Sequence, residues 1–260
     1  MTTMIRAVKA AMPDPLRLFL KRVLFYDAIK ARVRRALCAR SLTVSQAGQD
    51  LWVWSEAFNE KRDGYFLDVG AFDGLQVSNT FLLEKRYGWR GICFEANPHR
   101  FAELIRNRRS TCLNICLDQA EGEVEFVLTD DQGREELGGI VGIGGHSASH
   151  GRTVRLPTRQ LANVLREQNA PAVIDYLSID VEGAEDRILL GFDFKAYRFN
   201  TITIERPSEQ LRAVLRDNGY RLIKEIPNLD CFYVHEHFVH VYLKNMYEFY
   251  WKRHVPVRLL

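Results

Sequence analysis

Tyr65-Phe-Leu-Asp-Val-Gly-Ala-Phe-Asp-Gly74 decides how this chain is read. Its aromatic and aliphatic run predicts a buried strand over 65–69, with Asp68 near its end. Gly70 and Gly74 then mark a tight turn whose bare backbone a ligand can touch. Twenty-one residues past Gly74, a second apolar run, Gly91-Ile-Cys-Phe-Glu95, ends in a carboxylate. A glycine turn after one strand and an acid at the tip of the next is how an open α/β sheet holds a nucleoside: the turn meets the ligand's backbone and the acid accepts from the ribose hydroxyls. The turn is not Gly-x-Gly-x-x-Gly. Phe72 is bulky, and Asp73 puts negative charge where a pyrophosphate would need bare N–H groups. A nucleoside without phosphates and carrying an ammonium group fits better, which disfavours a nicotinamide oxidoreductase.

S-adenosylmethionine is such a molecule. Asp68-Val-Gly-Ala-Phe-Asp-Gly74, Ser78-Asn-Thr80, Gly91-Ile-Cys-Phe-Glu-Ala-Asn-Pro98 and Leu177-Ser-Ile-Asp-Val-Glu-Gly-Ala-Glu185 stand in order at spacings that together resemble the FkbM family of S-adenosylmethionine-dependent methyltransferases. Ser45-Gln-Ala-Gly-Gln-Asp50 resembles the segment that often opens that domain, and Phe72 stands where the family more often has Asn. The resemblance covers about residues 45–234. It implies a Rossmann-like class I methyltransferase fold, with a mostly parallel central sheet, an antiparallel closing strand and helical extensions at both ends. It also implies O-methylation of a hydroxyl on a sugar, glycan or secondary metabolite; an N-methyltransferase on a small molecule would look the same at this level. A non-catalytic or membrane-associated module keeping the fold is a further alternative, because fold does not fix function.

The expected cofactor residues are Asp68, Gly70, Ala71, Phe72, Asp73, Gly74, Ser78, Glu95, Ala96, Asp118 and Asp180. Asp68 either holds the methionine ammonium or stiffens the turn, Asn79 and Thr80 either cap a helix or touch ligand, and Asp118 could meet the adenine edge. Asp180 and Glu182 are the expected catalytic carboxylates, since a hydroxyl acceptor needs a base to take its proton as the bond forms. Asp180, Glu182 and Glu205, from neighbouring strand ends, could instead converge on Mg²⁺, a hard cation that prefers carboxylates. His146 and His150, in a segment where Leu137 to Gly151 holds five glycines before Gly151, are alternative bases on an expected mobile lid. The cluster His235, His237 and His240 reads as a polar strand end. The run Arg106, Arg108, Arg109 reads as a solvated helix end that would otherwise suit an acidic substrate.

At 260 residues and 47% hydrophobic content, the chain suits one sizeable domain with appendages. No apolar window is long enough to span a bilayer. The net charge of +3 hides an asymmetry: residues 1–40 hold ten Lys/Arg against two acids, so that stretch is +8 and the remainder −5. The mildly acidic domain argues against nucleic acid as a partner. The basic tract, Met4 to Arg40, has helical periodicity and either packs on the domain or lies on an anionic membrane. Five cysteines without Cys-x-x-Cys, and no secretory signal, predict a reducing cytoplasm.

The expected organisation is a basic helical segment over 1–44, a methyltransferase domain over 45–236 and an aromatic helix over 237–260. Within the domain, helices are predicted at 46–59, 77–87, 98–107, 185–190 and 211–218, with Thr158 capping another that ends near Gln168. Strands are predicted at 91–95, 112–117, 172–180 and 201–205, followed by an antiparallel pair at 220–224 and 231–235. Glu123–Leu128 and Thr153–Leu156 form an excursion between the third and fourth core strands.

Overall fold

A computed structural model describes residues 43–128, 138–147, 149 and 151–252. The predicted basic helix over Met4–Arg40 and His150 lie outside these residues. One compact unit spans Thr43–Met246. It includes most of the C-terminal helix Glu236–Tyr247, which the sequence reading had set apart.

The core is a seven-stranded sheet. In chain order its strands are β1 (Tyr65–Val69), β2 (Arg90–Phe94), β3 (Thr111–Leu113), β8 (Val173–Ile179), β9 (Arg198–Glu205), β10 (Tyr220–Glu225) and β11 (Asp230–His235), arranged 3-2-1-8-9-11-10 across the sheet. All neighbours run parallel except β11, which is antiparallel to both β9 and β10. This is a doubly wound, Rossmann-like sheet. Chain order reverses at β1, whose neighbours are β2 and β8, so a crevice opens beyond the carboxyl ends of β1, β2 and β8, where ligands bind in such folds. Leu67, Val69, Ile92, Phe94, Leu177 and Ile179 are fully buried and anchor the main apolar core. Parallel strands covered by helices on both faces read as continuous apolar runs for this reason, and those runs made the strands visible in the sequence.

A second, four-stranded sheet holds β4 (Cys116–Leu117), β5 (Gly122–Leu128), β6 (Gly139–Ile140) and β7 (Arg152–Arg159), in the order 4-7-5-6. The excursion is therefore a small sheet of its own, beside the crevice. Two expectations change here. The third strand is broken at Asn114-Ile115, so that Thr111–Leu113 pairs with β2 while Cys116–Leu117 pairs with β7. Thr158 does not cap a helix: β7 runs through it to Arg159, its hydroxyl donates to the Ala120 carbonyl, and Gln160 precedes the helix Leu161–Glu167.

Two helices begin at side-chain caps. Asn97 caps Pro98–Asn107 by accepting from the His99 N–H, with Pro98 at the first helical position, and Ser208 caps Glu209–Asp217 by accepting from Leu211. The segment expected as a helix over 46–59 is a short α-turn, Gln49–Leu51, that widens into a π-helix, Trp52–Ala57. No helix among the described residues is long and apolar enough to cross a membrane.

Candidate active site

The crevice is a cavity of about 460 Å³, within the size range of small-molecule sites, about 300–1,000 Å³. Gly70 leaves β1 and turns over the tip of β2: its N–H and that of Ala71 both donate to the Phe94 carbonyl. Gly70 has φ +84°, and a Cβ there would lie 1.8 Å from the Asp180 carbonyl oxygen. Only glycine allows β1 and β8 to end this close together. Asp180 N–H, in turn, donates to the Val69 carbonyl.

Glu95, just beyond β2, lines the cavity with both oxygens fixed: Oε2 accepts from the Phe72 N–H at 2.8 Å and Oε1 from the Asn97 N–H at 2.7 Å. Burial pushes its carboxyl up from the ordinary range to about 7, against the opposing pull of those two N–H donors and of Arg100. Phe72 sits in the left-handed region at φ +51°, and its ring lies under the Arg100 guanidinium at 4.7 Å. The bulky residue in the turn is thus a platform beside the acid. Opposite, Ile115, Leu117, Phe126, Ile140, Ala184 and Ile188 give the cavity an apolar end roofed by the second sheet.

The second centre lies at the ends of β8 and β9. Asp180, Glu182 and Glu205 all line the cavity, each offering a carboxylate oxygen within 4.8 Å of the others. Burial, then the charges of Glu205 and Glu182, raise the Asp180 carboxyl well above the usual carboxylate range. Arg206 bridges the other two acids, at 3.2 Å from Glu182 Oε2 and 2.7 Å from Glu205 Oε1. Glu205 Oε2 is buried with no hydrogen-bond partner. The donor set fits a hard cation in chemistry, although Arg206 already balances part of its charge. Four residues at this mouth, Phe72, Val77, Glu182 and Arg206, hold positive φ without being glycine. For the β-branched Val77, at +47°, that is a strained conformation of the kind that collects at functional sites.

Of the expected cofactor residues, Gly70, Phe72, Glu95, Ala96 and Asp180 line this cavity; Asp68, Ala71, Asp73, Gly74, Ser78 and Asp118 do not. Each of the polar ones has another engagement. Asp68 accepts through Oδ2 from the Thr80 hydroxyl and the Arg108 guanidinium within the core. Asp73 accepts from the N–H groups of Leu75 and Gln76, closing its own turn. Ser78 accepts from the Phe81 N–H at the start of the helix Phe81–Tyr87. Asp118 holds Arg187 through both oxygens, at 2.7 and 2.6 Å. Asn79 donates to the Ser178 hydroxyl. His146 is not in the cavity wall: it packs over Gly139 and closes the turn after β6. That turn is docked, since Gly144 lies against the Glu182 carbonyl too closely to admit a Cβ.

Gln46, Gln76, Val77, Arg100 and Leu229 in the wall, and Arg206 on the acid cluster, carried no expectation from the sequence; Arg108, expected at a solvated helix end, is instead buried against Asp68 and Glu84. Arg206 follows Glu205 directly, and a basic residue next to an acid expected in a cluster was the one available signal.

A family model described as the methyltransferase FkbM domain matches residues 68–222. The chain belongs to the FkbM methyltransferase family. That match runs from the first strand, through Glu95 and the acid cluster, to β10, so both halves of the crevice fall inside the FkbM domain. Among solved structures, a methyltransferase FkbM from Methylobacillus flagellatus is 14% identical with a TM-score of 0.43, covering 66% of this chain and 44% of its own. The chain thus spans less than half the length of that relative. A precorrin-6y C5,15-methyltransferase from Geobacter metallireducens is 12% identical with a TM-score of 0.40, covering 75% of this chain and 89% of its own. A TehB-like S-adenosylmethionine-dependent methyltransferase from Corynebacterium glutamicum is 10% identical with a TM-score of 0.40, covering 79% and 96%. No curated protein matches the chain.

Proposed function

We propose that the protein transfers a methyl group from S-adenosylmethionine to a hydroxyl of a sugar, glycan or secondary metabolite. The observation that carries this reading is the shared cavity of Glu95 and Asp180. A carboxylate held by two backbone N–H groups sits at one strand tip, ready to accept from ribose hydroxyls. A second carboxyl, one strand beyond the switch point, faces the same space. The apolar end under Phe126 and Ile140 suits adenine, and the bare backbone at Gly70 suits the amino-acid part of the cofactor, which leaves the mouth at Gln46, Gln76, Val77 and Leu229 for the acceptor.

The protein's part in the chemistry is placement and proton removal. Holding the acceptor oxygen in line with the methyl carbon supplies the entropic share of the acceleration. As the acceptor oxygen takes the methyl group, the S–CH3 bond would break with its electron pair left on sulfur as S-adenosylhomocysteine, and the hydroxyl proton would pass to Asp180, whose raised pKa brings its basicity toward that required near neutral pH. A carboxylate in the ordinary range would be too weak a base for this step. Asp180→Asn keeps the shape and removes the base. Transfer of radiolabelled methyl to a hydroxylated acceptor is expected to fall by about 10²–10⁴ in kcat while S-adenosylhomocysteine binding changes little. Full activity in that variant would remove Asp180 from the mechanism, and faster labelling of amine than of hydroxyl acceptors by the wild type would favour N-methylation.

The buried, unpartnered Glu205 Oε2 favours one second reading, in which Asp180, Glu182 and Glu205 hold Mg²⁺. The ion would lower the pKa of an acceptor hydroxyl. Under that reading a chelator abolishes transfer, added Mg²⁺ restores it, and Mg²⁺ binding is seen by calorimetry in the wild type but not in Glu205→Gln.

A further inference from the structure

At the edge of the domain where β1 and β2 begin, away from the crevice at their carboxyl ends, the surface changes character. The segments 60–63, 84–90 and 105–110 hold eight basic residues against three acidic ones, +5, whereas residues 41–260 as a whole carry −5. The backbone draws them together. Arg62 donates to the Arg86 carbonyl, Arg90 N–H donates to the Gly64 carbonyl as β2 begins, and Arg109 N–H donates to the Glu84 carboxylate. Glu84 is itself consumed by the buried Arg108 and by the N–H groups of Arg109 and Ser110.

Arg86, Arg90, Arg106 and Arg109 are exposed, and none has a carboxylate within ion-pair distance among the described residues. Arg100, Arg159, Arg187, Arg206 and Arg212 each pair with an acid, while Arg152, Arg155, Arg166 and Arg221 are also exposed without an ion pair among the described residues; what sets this edge apart is that its arginines lie on segments joined to one another. Ile105, immediately before Arg106 near the end of the helix Pro98–Asn107, is 52% exposed, so an aliphatic side chain stands out next to a basic one. Unpaired arginines on one edge together with a protruding apolar residue match the interface of an anionic bilayer, where headgroups meet the charges and the aliphatic side chain enters the acyl boundary. Nucleic acid would favour aromatic stacking platforms, and none of the exposed large hydrophobics in these segments is aromatic.

We propose that the rim carrying Arg62, Arg86, Arg90, Arg106 and Arg109, with the exposed Ile105 beside Arg106, is a docking surface for an anionic membrane, which turns the cavity mouth away from the lipid. The basic tract of residues 1–40, at +8, gives the same chain a second element of matching charge. Two weak contacts on one chain reinforce one another.

The test is co-sedimentation of the full chain with phosphatidylcholine vesicles with and without phosphatidylserine, comparing wild type with Arg86→Glu/Arg90→Glu/Arg106→Glu/Arg109→Glu and, separately, with Ile105→Asp. Wild type is expected to bind only the anionic vesicles and to be released by added salt. The quadruple variant is expected to bind them at least ten-fold more weakly, and Ile105→Asp to lose several-fold. Unchanged S-adenosylhomocysteine binding shows that both variants are folded. If the quadruple variant misfolds, the Ile105→Asp result decides. Equal vesicle binding by wild type and folded variants, equal binding to neutral vesicles, or retention of the wild type by RNA but not by anionic vesicles would each overturn the proposal.

Discussion

Acidification should loosen the cofactor through Glu95. Its carboxyl, pushed up to about 7 by burial, is mostly protonated at rest in mild acid. Ribose hydroxyls donate to the ionised form, so binding stabilises the carboxylate and releases a proton whenever Glu95 starts protonated. Affinity therefore rises with pH up to about 7 and is level above it. At pH 5.5 roughly one carboxyl in thirty is ionised, so affinity is expected to be up to about 30-fold, or about 2 kcal/mol, weaker than at pH 8.5. S-adenosylhomocysteine is the right probe, because it lacks the sulfonium charge that would also couple to Asp180. Isothermal calorimetry in buffers of different ionisation heat gives both the affinity and the proton count. An affinity that changes by less than about two-fold across this range, or that falls as pH rises, would refute the reasoning, and Glu95→Ala should flatten the profile.

Two further substitutions test the frame around the site. Arg108→Met removes a guanidinium with a fully buried side chain that serves Asp68, Glu84, Thr80 and Ser78; leaving two acids without it should cost about 3–5 kcal/mol in urea unfolding near neutral pH. Asp68, already raised by burial, then takes up a proton more readily, so the loss should shrink as pH falls; a loss under about 1 kcal/mol would show the network to be dispensable. Gly70→Ala drives a Cβ into the Asp180 carbonyl at a left-handed residue and should cost at least about 1–3 kcal/mol of backbone strain and weaken S-adenosylhomocysteine binding; wild-type stability and affinity would contradict the close approach described.

Much of the fold was legible because parallel strands buried on both faces are continuous apolar runs. Tyr65–Val69 was read to the residue, and β2, β8 and β9 to within a few residues. Glu95 and the carboxylates Asp180, Glu182 and Glu205 were legible for a related reason: acids at strand tips have few roles other than a site at the switch point. Asp68, Asp73, Ser78 and Asp118 do not line the cavity and have partners within the protein. A buried carboxylate needs a partner whatever its task, and sequence spacing does not say whether that partner is a ligand or Arg108, forty residues away. The strained Val77 depends on where its loop returns in space, which no local pattern records. The shape of the second sheet was hidden because its register rests on long-range pairing between β5 and β7.

The central claim is that the crevice between β1, β2 and β8 holds S-adenosylmethionine, and the most direct measurement is a crystal structure of the protein with S-adenosylhomocysteine. The account predicts both ribose hydroxyls on Glu95, adenine beneath Phe126 and Ile140, and the sulfur within reach of the space faced by Asp180. A ligand bound elsewhere, or a ribose that leaves Glu95 untouched, would contradict it.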